Sequence, residues 1–186
     1  MRLLKWLYEK RHHEPAPYYY NYSFAKIIFK PIRKWLTNVV AANCPFNCIR
    51  IAIYRMCGFK IGKGTFIGMR CYLDDMCYDL LTIGKNVTIS YGVFFACHGR
   101  NQKHIPIVIG DEAYIGMRAS IITKMSQKHE NTNALCIGRK SVIGACTLVN
   151  RCIPDEATAV GVPCRIIAHG NGNEYKNEIQ NAKCTE

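Results

Sequence analysis

Acidic side chains are scarce in the first third of this 186-residue chain. Residues 1–60 hold eleven Lys and Arg against Glu9 and Glu14 alone, a formal +9, whereas residues 61–186 hold fourteen against eleven, or +3. The total of +12 therefore sits mainly at one end. That distribution argues against a domain-wide nucleic-acid face and suits contact at one end with an anionic surface such as lipid headgroups or a polyanionic ligand. Long apolar runs are also missing: no segment reaches the roughly 18–20 consecutive apolar residues of a membrane span. Residues 1–13 are basic and contain leucines, but no apolar core or small-residue cleavage site follows, so no signal peptide is expected. Cys44 and Cys48 in "CPFNC" have no second cysteine pair to complete a metal site, and carry only a weak metal hint.

Cysteine itself is plentiful. The count of eleven is odd and scattered through the body of the chain, which fits reduced cytoplasmic thiols rather than a secreted disulfide framework. A hydrophobic content of 49% with 20% charged residues excludes wholesale disorder and suits one domain with an appended segment.

The body repeats with a period of six. It runs "IGKGTF", "IGMRCY", "LDDMCY", then "IGKNVT", "ISYGVF", "FACHGR", then "IGDEAY", "IGMRAS", "IITKMS", and finally "IGRKSV", "IGACTL", "VNRCIP". The aliphatic or aromatic starters are Ile61, Ile67, Leu73, Ile83, Ile89, Phe95, Ile109, Ile115, Ile121, Ile137, Ile143 and Val149. Small residues such as Thr65, Cys71, Cys77, Ala113, Ala119, Ser141 and Thr147 recur four later. Six matches neither the 3.6 of a helix nor the alternation of a simple strand. It is the period of a triangular parallel coil, in which each hexapeptide gives one flat strand and one corner. The starter points inward, and the glycine after it is expected to free the corner backbone. Coils stack about 4.8 Å apart through parallel hydrogen bonds. The fold expected is therefore all-β, a hexapeptide β-helix over residues 61–168. A basic, partly helical segment (1–60) precedes it and a polar tail (169–186) follows.

The N-terminal stretches "MRLLKWLYEKRHH" and "SFAKIIFKPIRKWL" mix basic and apolar residues at loosely helical spacing, and "IRIAIYRMCGF" reads as a helix capping the first coil. Two readings stand: helices packed on the coil with basic outer faces, or peripheral membrane contact. The role of the tyrosine cluster in "PAPYYYNY" is not assigned.

Two excursions leave the coil, "GRNQKHIP" (99–106) just after His98 and "KMSQKHENTNALC" (124–136). Long departures from a regular scaffold are where binding groups usually sit. His98 ends an apolar strand where such a loop opens, so its backbone is anchored while its ring can face a cleft. Neutral imidazole suits a general base near pH 7. His104 reads as an acceptor contact, a partner of the base or a solvated loop residue. His12, His13, His129 and His169 read as surface.

These motifs resemble the hexapeptide-repeat acyltransferases, left-handed β-helix enzymes that transfer an acetyl group from acetyl-CoA. The resemblance covers about residues 50–168. It is most specific in "IGACTLVNRCIPDEATAVGVPCRII" (143–167), similar to the last coil of the galactoside and maltose acetyltransferases and their polysaccharide-modifying relatives. "IPIVIGDEAYIGMRASI" (105–121) resembles the coil after their catalytic loop. The resemblance implies His98 as catalytic base and Asp74 and Asp75 of "LDD" as acceptor-site acids, one of them orienting His98, with His104 nearby. On the acetyl-CoA side it implies Tyr114 (usually Trp in the family), Met117, Ala145, Asn150, Arg151 and Arg165. It further implies a homotrimer with the site between subunits, no metal, and a saccharide acceptor in a surface polysaccharide or its precursor. Serine, an amino sugar or an antibiotic is the alternative acceptor. A carbonic anhydrase on the same fold would need three histidines converging on a metal, and a non-catalytic β-helix that organises partners is the third reading.

Overall fold

The computed structural model describes residues 2–12, 24–98, 104–123 and 134–168. His13, His129, His169, the tyrosine cluster at 15–22 and the 169–186 tail lie outside the described residues.

Three flat sheets form the body, and the chain visits them in rotation. The first sheet contains β1 (Lys60–Ile61), β3 (Leu81–Ile83), β6 (Ile107–Ile109) and β9 (Leu135–Ile137), all parallel. The second contains β2 (Phe66–Ile67), β4 (Thr88–Ile89), β7 (Tyr114–Ile115), β10 (Val142–Ile143) and β12 (Thr158–Val160), also parallel. The third contains β5 (Phe94–Ala96), β8 (Ser120–Ile122) and β11 (Leu148–Val149). A final strand, β13 (Arg165–Ala168), turns back antiparallel along β12.

Register follows the sixfold repeat. Ile67, Ile89, Ile115 and Ile143 are paired successively in one column of the second sheet. Phe95, Ile121 and Val149 form the matching column of the third. The starters from Ile67 onward are buried, as are the small residues Thr65, Cys71, Cys77, Ala113, Ala119, Ser141 and Thr147. Columns of apolar side chains facing inward at one strand spacing fill the narrow core.

The glycine after each starter does not do what the sequence reading assigned to it. Gly116 does not adopt left-handed backbone; a Cβ there would stand 2.6 Å from Ala145 N and 2.7 Å from Gly144 C on the next coil. It is glycine because backbone packs on backbone. The left-handed turn falls two residues later and is taken by side-chain-bearing residues: Arg70, Glu112, Arg118, Lys140 and Cys146 all have φ between 53° and 60°. Each such position costs roughly 1–2 kcal/mol relative to glycine. Carboxylates staple other corners: Asp111 Oδ1 accepts the N–H of Lys85 (2.7 Å), and Asp155 Oδ1 that of Arg139 (2.7 Å).

The N-terminal segment contains α1 (Arg2–His12), α2 (Phe24–Trp35), a π-helical turn (Leu36–Ala41) and α3 (Asn47–Met56). His12 is exposed at the end of α1. As expected, α3 closes the open edge of the first coil. Asn47 Oδ1 accepts the N–H of Ile67 (3.1 Å) and its amide donates to Thr65 O (3.2 Å), so strand groups that would meet solvent are paired. Tyr54, fully buried, stacks edge-on against Phe59. No helix among the described residues is long and apolar enough to cross a membrane.

Candidate active site

Leu73 is an in-phase starter, so the chain enters the core there and leaves it at Asp74. Asp74 is nevertheless completely buried, because the next coil covers it. A buried carboxylate must be satisfied by donors. Asp74 Oδ2 accepts the backbone N–H of Cys97 at 2.8 Å and lies 2.6 Å from His98 Nδ1; Oδ1 accepts the N–H of Met76 at 3.1 Å. The Cys97 contact fixes Oδ2 as an acceptor, so His98 carries its proton on Nδ1 and donates it. Nε2 is then the lone-pair nitrogen. The His98 side chain is 37% exposed while that of Asp74 is 0%, which is the combination a solvent-reachable base with a buried orienting partner requires.

His98 lies beyond β5, at the corner between the third and first sheets. The excursion that follows is pinched at its base: His98 and His104 form an antiparallel bridge, and Ile105 N–H donates to Cys97 O (2.8 Å). That pinch brings His104 over Cys77, whose Sγ is 2.7 Å from His104 Nδ1. Burial pushes the Cys77 thiol up to about 12, helped by the charges of Asp74 and Asp79. The raised thiol stays protonated at neutral pH, and its surroundings are the Asp74 carboxylate and the His104 ring. Burial also raises the neighbouring Cys97 thiol, with Asp74 adding to the effect.

Asp75, also buried, faces the N-terminal helices. Its Oδ1 accepts from the Tyr72 hydroxyl (3.0 Å) and the Asn38 amide (3.3 Å), and its carbonyl accepts from Arg33 (3.3 Å). Arg33 also lies over the Tyr78 ring, 3.7 Å from its centre. Burial, with the Asp75 charge, raises the Tyr72 phenol well above its ordinary value. Cys77, Tyr72, Asn38 and Arg33 were not among the residues singled out from sequence. Cys77 reads there as a small in-phase filler, and Asn38 and Arg33 come from helices outside the repeat.

Asp74, Cys77 and His98 offer ligand atoms within 4.8 Å of one another, the one such group among the described residues. Ligands of a tetrahedral metal at about 2.0–2.3 Å stand well over 3 Å apart. The 2.6 Å Asp74–His98 contact is therefore the geometry of a hydrogen bond. Three histidines do not converge among the described residues, and the Cys44 thiol donates to Phe46 O.

The residues implied for acetyl-CoA divide between two corners. Asn150 and the exposed Arg151 follow β11 at the same corner as His98, two coils on, or about 10 Å at the usual strand spacing. Exposed Met117 and Ala145 occupy the corner between the second and third sheets, stacked through the Cys146 N–H to Met117 O bond (2.8 Å). Tyr114 projects from the second sheet, its hydroxyl accepting from Ser90 Oγ (3.3 Å), and exposed Arg165 begins β13 on the same sheet. Within one chain these last four do not meet His98.

No protein-family model matches the chain. Curated relatives do. A protein of Bacillus subtilis (strain 168) named as an acetyltransferase, YvoF, is 28% identical over 142 residues, covering 74% of this chain and 77% of its own length. The galactoside O-acetyltransferase of Escherichia coli (strain K12) is 31% identical over 133 residues, covering 62% of this chain and 59% of its own. The chain resembles the hexapeptide-repeat acetyltransferases. A solved hexapeptide-repeat acetyltransferase from Vibrio cholerae, in complex with acetyl-CoA, superposes with a TM-score of 0.61 over 80% of this chain and 91% of that one, at 22% identity. A maltose O-acetyltransferase from Clostridium difficile 630 gives 0.56 over 79% and 89%, at 23% identity. At these identities the hexapeptide-repeat structures establish likeness of fold. The chain spans less than two thirds of the length of several curated relatives, including the serine acetyltransferase of Bacillus subtilis (53%).

Proposed function

We propose that the chain is an acetyl-CoA-dependent O-acetyltransferase that acts on a sugar hydroxyl of a surface polysaccharide or its precursor, with His98 as general base. The observation that carries this reading is the buried Asp74 carboxylate 2.6 Å from His98 Nδ1. It supports Nε2 as the proton acceptor at the mouth of a loop. Names of relatives support the reaction, galactoside and maltose acetylation among them, and the acetyl-CoA complex of the Vibrio protein supports the donor.

In this reading His98 Nε2 takes the acceptor hydroxyl proton as the oxygen attacks the thioester carbonyl carbon. Asp74 holds the ring and stabilises the imidazolium. The tetrahedral intermediate collapses by breaking the carbon–sulfur bond, and His98 returns the proton to the departing thiolate, giving CoA thiol and the acetyl ester. Asp75 and His104 border the acceptor side. Asn150 and Arg151 hold the donor from the His98 corner, and a neighbouring copy in a homotrimer supplies Tyr114, Met117, Ala145 and Arg165. The separation of the two corners within one chain supports that division. In this reading residues 61–168 form the left-handed β-helix, 1–60 the basic, partly helical segment and 169–186 the polar tail, and the enzyme works in the cytoplasm, where acetyl-CoA is made.

The test is release of CoA thiol from acetyl-CoA in the presence of free, nucleotide-linked and lipid-linked sugars. Turnover with any of them supports the reading. Serine belongs in the same panel, because serine acetyltransferases are among the relatives; turnover with serine alone would replace the saccharide assignment, and no turnover with any acceptor would favour a non-catalytic role.

A further inference from the structure

The last coil closes on β9 through two cysteines. Ile137 and Ile153 pair in parallel, with Ile153 N–H donating to Cys136 O (2.8 Å) and Gly138 N–H to Ile153 O (2.8 Å). A regular parallel ladder would continue from the Cys136 N–H to Arg151 O, and from the Arg151 N–H to Ala134 O. The Cys152 sulfur takes both places. It accepts the Cys136 N–H at 3.2 Å and donates to Ala134 O at 3.5 Å. Cys136 Sγ lies 4.0 Å from the same Ala134 oxygen.

Two sulfurs are thereby brought to one point on the first sheet, and both thiols are half-buried. In-register neighbours on adjacent parallel strands stand about 4.8 Å apart, inside the roughly 4.4–6.8 Å Cα separation of disulfides. With both sulfurs within 4.0 Å of one oxygen, side-chain rotation closes the remaining gap. Cys77 and Cys97 also feel each other's charge, but burial raises both thiols, so neither supplies thiolate near neutral pH.

We propose that Cys136 and Cys152 form a thiol–disulfide site, closed by exchange with a low-molecular-weight disulfide such as oxidised glutathione. The thiolate of one cysteine attacks a sulfur of the reagent. The reagent's S–S bond breaks, and one glutathione leaves and takes up the proton that cysteine released. The second cysteine, as thiolate, attacks the protein sulfur of the mixed disulfide. The internal S–S bond forms, and the second glutathione leaves with the second proton. The protein dithiol is oxidised and the reagent reduced to two thiols. The site itself is independent of the acetyltransferase reading. Its consequence rests on that reading: the bond removes the S–H that Cys152 gives Ala134 O and fixes to β9 the chain directly after Asn150 and Arg151. Acetyl-CoA should therefore bind the oxidised form about 5-fold or more weakly.

Equilibration of the reduced full chain with oxidised and reduced glutathione at varied ratio, followed by an acid quench and non-reducing peptide mass spectrometry, tests this. The expected product is a peptide pair joined through Cys136 and Cys152, lighter by two hydrogens, with no retained glutathione, and reversed by dithiothreitol. Cys136→Ser, which leaves the Cys152 sulfur its backbone partners, should stop at a glutathione adduct on Cys152. Cys48→Ser/Cys146→Ser, which removes the exposed thiols, should crosslink like the parent. The proposal is overturned if Cys136 and Cys152 remain thiols or separate adducts at ratios that modify Cys48 and Cys146, or if either joins a different cysteine. The mass readout needs no acceptor, so failure of the site is distinct from failure of acetyl transfer. Calorimetry of acetyl-CoA binding to the reduced and oxidised forms then tests the consequence, and equal affinities would overturn it.

Discussion

One oxygen of the buried Asp74 carboxylate accepts both the Cys97 backbone N–H, at 2.8 Å, and the His98 ring N–H, at 2.6 Å. The backbone bond ties the carboxylate to the strand end that carries the histidine, so scaffold and imidazole are aligned by the same atom.

Replacing Asp74 with Asn should therefore harm catalysis more than folding. An amide in that place either turns an N–H toward the Cys97 N–H or forces His98 into the other tautomer. A fall in kcat on the order of 10²-fold or more is expected, with the KM for acetyl-CoA little changed. Steady-state kinetics with the best acceptor from the panel checks this; a variant with parental kcat would remove Asp74 as the orienting group.

The buried Cys77 thiol, raised to about 12, should be almost wholly protonated at pH 8. Maleimide labelling of the native protein at that pH should modify the exposed Cys48 and Cys146 well before Cys77. Peptide mapping by mass spectrometry gives the order, and early labelling of Cys77 would contradict the Cys77–His104 pairing.

Gly116→Ala should destabilise the coil by about 1–3 kcal/mol, because the added Cβ meets the backbone of the next turn and no flexible side chain can yield. For a chain of this length each kcal/mol lowers Tm by roughly 2–4 °C. A thermal melt indistinguishable from that of the parent would refute close stacking at this corner.

Arg165→Ala should raise the KM for acetyl-CoA about 5- to 100-fold with kcat largely preserved, the expectation for loss of a charge-assisted phosphate contact. An unchanged KM would remove Arg165 from the donor site.

Much of this architecture was legible in sequence because a sixfold repeat leaves little choice. From Ile67 to Val149 the starters all face inward; phase put His98 at the end of a strand, and the family resemblance put Asp74 one coil before it. The reason for the glycines was misread: corner conformation is supplied by residues such as Arg118 and Cys146 in left-handed backbone, while Gly116 answers to the coil stacked on it. The Cys77–His104 contact was illegible because a small residue was required at position 77 in any case, and nothing in a core filler's phase says what a distant loop lays over it. Arg33 and Asn38 were illegible for a different reason. Helices outside a repeat have no register with it, so their contacts with Asp75 depend on docking. Nor could phase say that Tyr114 and Arg165 face away from the His98 corner, since strand number and sheet are related only once the coil is wound.

The most direct measurement is the rate of CoA release by the parent and by His98→Ala at saturating acetyl-CoA and acceptor. A general base at His98 predicts a loss of about 10²–10⁴-fold with acetyl-CoA binding retained by calorimetry. Equal rates for the two proteins would contradict it.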